Sequence, residues 1–324
     1  MDFIYYPVSG VLWFWHKLFS YVLSPDSGIT WALAIMFLVF TIRILLVKPM
    51  ANQLRSSRKM QEMQPKMQEL QRKYKNDRQT LAIEMRKLQK EMGVNPLASC
   101  LPMLVQMPIF LGLFHVLRSF NRTGTGVGQL GMTVEETRNT PNYFFGVDEV
   151  QSFLDARIFG TPLSGFISMD PNNYRAFSED GVVDFTRTNI ILVVVPLMLL
   201  ASVLMHFSAR MSMDRAAKRR AENPIKANDP KAMQSQMQMD MMQKLMLWVM
   251  PVLYLMGGFA WQVGLALYMA TNMAWSYLQQ YFLYKKMDAE EEAEKEAIAA
   301  SKRTSAPKVG ARPDNPKKKG KKRK

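Results

Sequence analysis

Cysteine and histidine, the residues on which most metal and redox sites depend, are scarce in this chain. The single cysteine, Cys100, excludes an internal disulfide framework and a four-ligand zinc site built on cysteines. The three histidines lie on separate segments without metal-ligand spacing, and there is no HExxH, CxxC or P-loop motif. No Ser/His/Asp arrangement and no pair of intramembrane aspartates indicates a protease. We therefore expect neither an enzyme nor a bound cofactor or metal.

Charged residues are missing from several long stretches, although the whole chain has 42 Lys and Arg and 27 Asp and Glu. Ile29 to Val47 contains one charge, Arg43, and no formal charge occurs from Leu245 to Leu283. The second stretch is about twice the roughly 20 residues that cross a hydrocarbon core, and Gly257-Gly258 offers a turn near its middle. The pattern predicts an all-α polytopic membrane protein with five transmembrane helices. These spans are predicted at residues 28–49, 95–118, 189–209, 245–260 and 261–284.

The charge of the connecting segments alternates in sign along the chain. It is −1 in residues 1–27, +6 in 49–93, −4 in 119–188, +4 in 210–244 and +7 from residue 285 onward. The positive-inside rule then places the positive segments in the cytoplasm and the N-terminus outside. The formal charge of +15 therefore mainly reflects the predicted topology of the chain. Only the basic end of the chain suggests a nucleic-acid partner.

The N-terminal segment, residues 1–27, is apolar and aromatic. Its uninterrupted apolar runs are shorter than a transmembrane helix. It begins with an acidic residue and has no Ala-x-Ala site, unlike a secretory signal peptide. Trp13 and Trp15 suit the headgroup region, so we predict an extracytoplasmic interfacial amphipathic helix over Tyr6 to Leu23. A sixth span is the alternative.

Residues 50–94 show two helical patterns separated by turn residues at Lys75 to Asp77. The apolar positions at helical spacing are Met60, Met63, Met67, Leu70 and Tyr74, followed by Leu81, Met85, Leu88 and Met92. Two helices joined by so short a turn predict a cytoplasmic antiparallel hairpin. Pro65 is expected to kink the first helix or restart it.

The other connecting segments differ in composition. The extracytoplasmic loop 119–188 is rich in Gly, Asn, Asp and Thr with scattered aromatics, so we expect it to be partly ordered at best. The cytoplasmic loop 210–244 is polar and methionine-rich. The segment 285–324 begins as an acidic helix and ends in PKKKGKKRK, which predicts a disordered basic tail in the cytoplasm.

A few polar side chains lie inside the predicted spans: Arg43, Gln106, Thr271 and Asn272. Arg43 is about 7 Å from the cytoplasmic end of its span at 1.5 Å per residue, so snorkelling to lipid phosphates is one interpretation. Polar groups at such depth also face partners or water-filled cavities. For Gln106 and Asn272 the alternative is hydrogen bonding between helices. No chain of intramembrane carboxylates supports a proton-coupled transporter.

At these residues the chain resembles the YidC family of membrane protein insertases, in its actinobacterial type with a five-span core. The matching stretches are TIRILLVKPM around Arg43, MQPKMQELQRKYKNDRQ in the hairpin, NPLASCLPMLVQMPIFLGLF at 95–114, and LALYMATN followed by Gln279-Gln280. The resemblance implies no catalysis. It implies insertion of new proteins into the bacterial plasma membrane through a hydrophilic groove, open to cytoplasm and lipid, with an arginine inside.

The resemblance also assigns roles to residues of this chain. Arg43 matches the groove arginine, and further groove positions are Gln106, Met107, Phe110, Tyr268, Thr271 and Asn272. Met60, Met63 and Met67 are candidates for receiving incoming helices, with packing against the second hairpin helix as the alternative. The chain departs from the family pattern at Gln262, Met269 and Ala209.

The resemblance implies nascent membrane proteins as substrates and the Sec translocon as a partner, besides insertion without it and assistance in folding. The basic end predicts contact with ribosomal RNA or with anionic lipids through Lys317, Lys318, Lys319, Lys321, Lys322, Arg323 and Lys324. Two other function classes are a small-solute transporter, for which inverted repeats and midplane carboxylates are missing, and an assembly factor that works only through its hairpin.

Overall fold

The computed structural model describes residues 2–93, 101–123, 130–222 and 230–305. The chain divides into two compact units, Met1–Gln279 and Gln280–Lys324. The described part is mostly helical, with ten α-helices and one two-stranded sheet. The helices are α1 Asp2–Ser20, α2 Gly28–Lys73, α3 Arg78–Glu91, α4 Leu101–Arg118, α5 Val134–Arg138, α6 Val147–Asp155, α7 Arg187–Glu222, α8 Pro230–Lys244, α9 Met250–Gly257 and α10 Val263–Ser305.

Three stretches of the described residues are helical, long and apolar enough to cross a membrane. They are Gly28–Lys73, Arg187–Arg219 and Met237–Ala260, and the apolar helix Leu104–Arg118 is shorter. α10 is not among them, because Asn272, Ser276 and Gln279 lower the mean hydropathy of its apolar part. The helical membrane-protein class is confirmed, whereas the layout of five spans stays a prediction.

α2 joins the first predicted span and the first hairpin helix into one element. The Ser27 hydroxyl caps its start by accepting from the Ile29 amide, and the helix continues through Pro49 and Pro65 to Lys73. The expected restart at Pro65 is therefore wrong. A proline removes one backbone hydrogen bond, and the long runs of Gln, Lys, Met and Leu around it favour helix.

α3 follows after a short turn in which Asp77 accepts a hydrogen bond from the Thr80 amide. No residue of α3 is buried. A Cβ built on Gly93, just after α3, would lie 3.7 Å from the Lys59 ammonium of α2. The end of α3 therefore lies beside α2 near Lys59, while the antiparallel packing along the two helices stays a prediction.

The long uncharged run is interrupted at its glycine pair. α9 ends at Gly257, a 3₁₀ turn covers Gly258–Ala260, and α10 begins at Val263. A Cβ on Gly258 would lie 2.8 Å from Met198 of α7, so glycine permits the close approach of the two elements. One π-helical turn, Leu245–Val249, precedes α9.

Residues 119–123 and 130–186 form a packed structure that we call the cap. It contains α5, α6, the strands β1 Arg157–Ile158 and β2 Thr161–Pro162, and a 3₁₀ helix at Pro171–Phe177. Its scattered aromatics are buried together, among them Phe145, Phe153 and Phe177. The expectation that this loop is partly ordered at best is therefore wrong for the described residues. Aromatic rings distant in sequence supply a core that no local periodicity reveals.

α1 packs on α2 and α4 and lies under the cap. His16 stacks on Trp31 of α2 with ring centroids 3.7 Å apart, and its Nε2 is 3.0 Å from the Pro25 carbonyl. Burial lowers the pKa of His16, so the packed imidazole is neutral at neutral pH. Residues 2–20 are thus helical, and their position at a membrane interface stays a prediction.

The cap is also bonded to the beginnings of α2 and α10. Trp31 Nε1 donates to Ser152 Oγ over 3.1 Å. The amides of Val263 and Gly264 donate to the carbonyls of Gly165 and Leu163, each over 2.9 Å. The cap therefore covers the ends of two helices assigned to spans.

The segments 210–244 and 285–324, which are predicted to be cytoplasmic, are more helical in their described parts than the sequence suggested. Residues 210–222 continue α7 and residues 230–244 form α8. The acidic helix expected over Glu290 to Glu296 is confirmed, and the disordered tail predicted over 285–324 is wrong for residues 285–305, which belong to α10. This part contains several helix-forming Ala, Glu and Lys residues and an ion pair of Lys295 with Glu291 at 3.0 Å.

Gly28 gives a direct test of the contact between α2 and the cap. A Cβ on Gly28 would lie 1.8 Å from the Arg157 carbonyl oxygen, so the first turn of α2 or strand β1 would have to shift. We expect Gly28→Ala to lower the free energy of unfolding by about 2 kcal/mol or more. Gly10→Ala is the control, because its Cβ meets only the Phe144 ring, at 3.2 Å. Equal thermal stability of the two variants in detergent would contradict this packing.

Candidate functional site

Arg43 is the centre of the candidate site. It lies on α2, and only 6% of the residue is exposed. Its Nε and Nη2 both donate to Oδ1 of Asn272 on α10, over 2.8 and 2.6 Å. The guanidinium is therefore directed toward α10, which is not the orientation that snorkelling to lipid phosphates requires.

The partner of Arg43 is neutral. Among the described residues no carboxylate forms an ion pair with its guanidinium. An amide oxygen satisfies hydrogen-bond donors but leaves the positive charge uncompensated. Burying an isolated charge costs several kcal/mol, so this position favours the approach of water or an anion.

A second polar pair lies beside the first. Gln106 of α4 donates from Nε2 to the hydroxyl of Tyr268 on α10 over 3.0 Å. Tyr268 precedes Asn272 by one helical turn, so both project from the same face of α10. We call Arg43, Gln106, Tyr268 and Asn272 the polar cluster.

The polar cluster connects α2, α4 and α10 through side-chain hydrogen bonds. The interpretation of Gln106 and Asn272 as interhelical hydrogen-bonding residues agrees with these contacts. Such bonds are compatible with a substrate site, since each could exchange its partner for a polar group of a ligand.

The remaining groove candidates lie around the cluster rather than in it. Thr271 is buried and bonds the Leu267 carbonyl of its own helix over 2.9 Å. Phe110 is half-buried against the apolar core, whereas Met107 is 47% exposed. Met107 therefore faces outward from α4, while the neighbouring Gln106 contacts Tyr268.

Sequence reasoning missed two features next to the cluster. On α4, Leu104 and Leu111 are exposed and share a face with Met107 at helical spacing, which makes an apolar stripe. On α10, Trp275 donates to Gln279 over 2.9 Å, one and two turns after Asn272. The i, i+3, i+7 spacing was present in the sequence, but it does not show which helix face stays uncovered.

The hairpin methionines differ in accessibility. Met63 is fully buried, so in this conformation it does not offer a surface to an incoming helix. Met60 and Met67 are partly exposed. The adjacent Gln64 donates from Nε2 to the sulfur of Met239 on α8 over 3.3 Å, so α2 also contacts the segment 210–244.

The basic end lies outside the described residues, which stop at residue 305. The candidates for ribosome or lipid contact there stay predictions: Lys317, Lys318, Lys319, Lys321, Lys322, Arg323 and Lys324. Within the described residues no group of three or more His, Cys, Asp and Glu could hold a metal ion.

All four residues of the polar cluster lie within the part of the chain that matches a known protein family. The model of the family described as 60Kd inner membrane protein matches residues 22–291. A membrane protein insertase YidC of Mycobacterium tuberculosis is 44% identical over 97% of this chain and 80% of its own length. The Mycobacterium leprae protein of the same name is 42% identical over 97% and 77%, and that of Tropheryma whipplei is 32% identical over 84% and 79%.

Replacing Asn272 tests whether it holds Arg43. Asn272→Leu leaves a buried guanidinium without its acceptor, so we expect the free energy of unfolding to fall by about 2–3 kcal/mol. Thr271→Val is the control, because that hydroxyl bonds only its own helix and its loss costs about 1 kcal/mol or less. Thermal unfolding in detergent compares the two, and an equal effect would show that Asn272 does not support Arg43.

Proposed function

The chain belongs to the 60Kd inner membrane protein family of membrane protein insertases, and we propose that it inserts nascent membrane proteins through the polar cluster around Arg43. Members of this family are insertases without catalytic chemistry. The chain is accordingly a membrane insertase, not an enzyme. The proposal concerns how its own residues perform the insertion.

The observation that carries the proposal is a buried arginine whose acceptor is an amide. Asn272 keeps the guanidinium hydrogen-bonded between substrates without neutralising it. An acidic segment of a substrate can then replace the amide oxygen by a carboxylate, because charge-assisted hydrogen bonds are roughly twice as strong as neutral ones. Arg43 is thus a transient binding site for acidic substrate tails.

The physical problem that such a site solves is the cost of moving charges through lipid. One charged residue at the bilayer centre costs about 2.5–3.5 kcal/mol even on insertion scales. A hydrophilic groove that reaches Arg43 from the cytoplasm shortens the dry part of that path. The membrane potential, negative inside, then drives an acidic tail outward by about 2.3 kcal/mol per charge per 100 mV.

Two features support a groove that is open inward and closed outward. The cap and α1 cover the beginnings of α2 and α10, where cap carbonyls bind the first amides of α10. The charge alternation along the sequence places this end outside the cell and the hairpin in the cytoplasm. We therefore assign the cap to the extracytoplasmic face of a bacterial plasma membrane, with five spans and a cytoplasmic C-terminus.

The exposed stripe of α4 supplies the apolar half of the route. Leu104, Met107 and Leu111 present flexible and branched aliphatic side chains to lipid next to Gln106. Methionine adapts to partners of different shape, which suits varied substrate helices. A substrate can thus keep its apolar helix on this stripe while its polar tail contacts Arg43.

The cytoplasmic elements are assigned to substrate reception. α2 extends well beyond the apolar part of the first span, and its partly exposed Met60 and Met67 lie on this extension. We propose that the hairpin contacts incoming chains, alone or beside the Sec translocon. The basic end then keeps the protein near ribosomes by binding RNA phosphates.

Charge at position 43 is the decisive variable. We expect Arg43→Ala to slow insertion of a substrate with an acidic translocated tail by about tenfold or more, since a charge-assisted bond of about 1.5–3 kcal/mol is lost. Arg43→Lys retains the charge and most of the activity. The measurement uses purified protein in vesicles with a membrane potential and a substrate whose tail is protected from protease after insertion.

The same assay has a control for the substrate and a control for the site. A substrate with its tail acids changed to Asn and Gln should respond little to Arg43→Ala. Asn272→Asp places a fixed carboxylate on the intact guanidinium, so it should slow the acidic substrate like Arg43→Ala does. Full activity of both Arg43→Ala and Asn272→Asp would refute the role of this charge.

Removal of residues 302–324 tests the basic end. If the tail binds ribosomal RNA, truncation should weaken co-sedimentation with ribosomes, and binding of the intact protein should fall steeply with salt. If it binds anionic lipid, truncation should instead weaken binding to vesicles of phosphatidylglycerol, at about 1 kcal/mol per basic residue. Unchanged binding in both assays would leave the tail without either partner.

A further inference from the structure

The turn between β1 and β2 has an unusual residue at its first position. Ile158 pairs with Thr161, so Phe159 and Gly160 form a two-residue hairpin loop. Their φ angles are +51° and +72°, as a type I′ turn requires at both central positions. Asn and Asp followed by Gly are the usual choices there, because a bulky side chain is strained in the left-handed region.

Packing gives no compensation for this strain. Phe159 is 88% exposed, so its ring obtains almost no contact within the protein. An exposed aromatic ring in a sparsely populated backbone conformation is better explained by something outside the chain that contacts it. The inference therefore depends on what lies next to the hairpin.

The base of the hairpin is held rigidly, so the direction of its tip is fixed. The Arg157 guanidinium donates to the carbonyls of Leu154 and Asp155 over 3.1 and 2.8 Å. It also lies 5.7 Å from the Phe185 ring. The Arg157 carbonyl packs directly on Gly28. The exposure of Phe159 is thus a property of a fixed structure.

The hairpin lies level with the beginnings of two helices assigned to spans. Arg157 contacts the first residue of α2, and Leu163, just after β2, accepts from the Gly264 amide at the start of α10. At the same end of α2 the side chains of Ile29 and Tyr21 are 63% and 87% exposed. This is the level at which aromatic side chains concentrate in membrane proteins.

We propose that Phe159 inserts into the interfacial region of the outer leaflet and anchors the cap to the phospholipid bilayer. The partner is lipid, because the hairpin that carries the exposed ring packs through Arg157 on Gly28, the neighbour of the exposed Ile29 at the start of α2. The proposal rests on the assignment of α2 as a span and of the cap as extracytoplasmic. It adds a contact that fixes the height of the cap relative to the membrane.

Spin labelling in vesicles of phosphatidylethanolamine and phosphatidylglycerol tests the contact. A Cys100→Ser background leaves Phe159→Cys as the only label site. Parallel labels at Leu45, which is 74% exposed on α2, and at the exposed Glu135 of α5 give the lipid and water references. We expect the label at 159 to resemble that at 45, with higher accessibility to oxygen than to a water-soluble nickel complex.

Each other outcome overturns the proposal. A label at 159 as accessible to nickel as that at 135 would place the tip in water. Protection from both reagents would indicate a protein partner or a second copy. A water-exposed label at 45 would remove the span assignment itself. None of these readouts uses insertion, so they fail independently of the role proposed for Arg43.

A second variant tests the premise that the ring does not stabilise the cap. Phe159→Asn introduces a residue that tolerates the left-handed region, so thermal stability in detergent should be unchanged or higher. Phe153→Asn, which removes a fully buried cap ring, serves as the reference for a packed phenylalanine. If Phe159→Asn lowered thermal stability as much as Phe153→Asn does, the Phe159 ring would be packed within the protein, and the proposal of a lipid anchor would be overturned.

Discussion

The buried positive charge of Arg43 is the constraint on which the helical core depends. A guanidinium inside a membrane span is costly unless its donors are satisfied and water or an anion can reach it. Asn272 satisfies two of its donors through one oxygen. The acceptor lies on α10, whose apolar part has a lower mean hydropathy than is expected of a membrane span. α10 therefore supplies the hydrogen-bond acceptor that Arg43 requires, and Arg43 supplies hydrogen-bond donors to a polar side chain of α10. α2 and α10 are held together by a contact that neither would make with lipid.

In the topology proposed above, the cap lies at the outer end of the structure and serves the same constraint. If water entered from both sides, a polar site across the membrane would let water and ions pass. The cap prevents this by packing its aromatic core over α1 and the start of α2 and by binding the first amides of α10. Trp31 connects the two regions, since it stacks on His16 of α1 and donates to Ser152 of the cap. In that topology the polar cluster is reached from the cytoplasmic side or from lipid.

The sequence alone was sufficient for the class of protein and for finding Arg43, Gln106, Thr271 and Asn272 as polar residues within apolar stretches, whereas Tyr268 came only from the family resemblance. Those inferences depend on local quantities, namely hydropathy and charge along a single helix. The partners were not predictable, because Gln106 and Tyr268 are 162 positions apart and no periodicity specifies a contact at that distance. The fold of the cap was missed for the same reason. Of the two alternatives for Pro65, a kink or a restart, the restart is wrong because length and flanking residues outweighed one lost hydrogen bond. The left-handed turn at Phe159 contradicts the usual turn chemistry, so no sequence rule would place it there.

If Arg43 binds substrate tails as proposed, the neutrality of Asn272 explains how one site serves successive substrates. A carboxylate in its place would form an ion pair that a substrate acid could displace only by leaving another buried charge unpaired, at a cost of about 3–5 kcal/mol. An apolar residue would leave the guanidinium unsatisfied in every interval between substrates. An amide has neither disadvantage, since it satisfies the donors of the guanidinium and a substrate carboxylate can displace it. The same proposal accounts for release, because the amide returns to the guanidinium when the membrane potential draws the acidic tail outward.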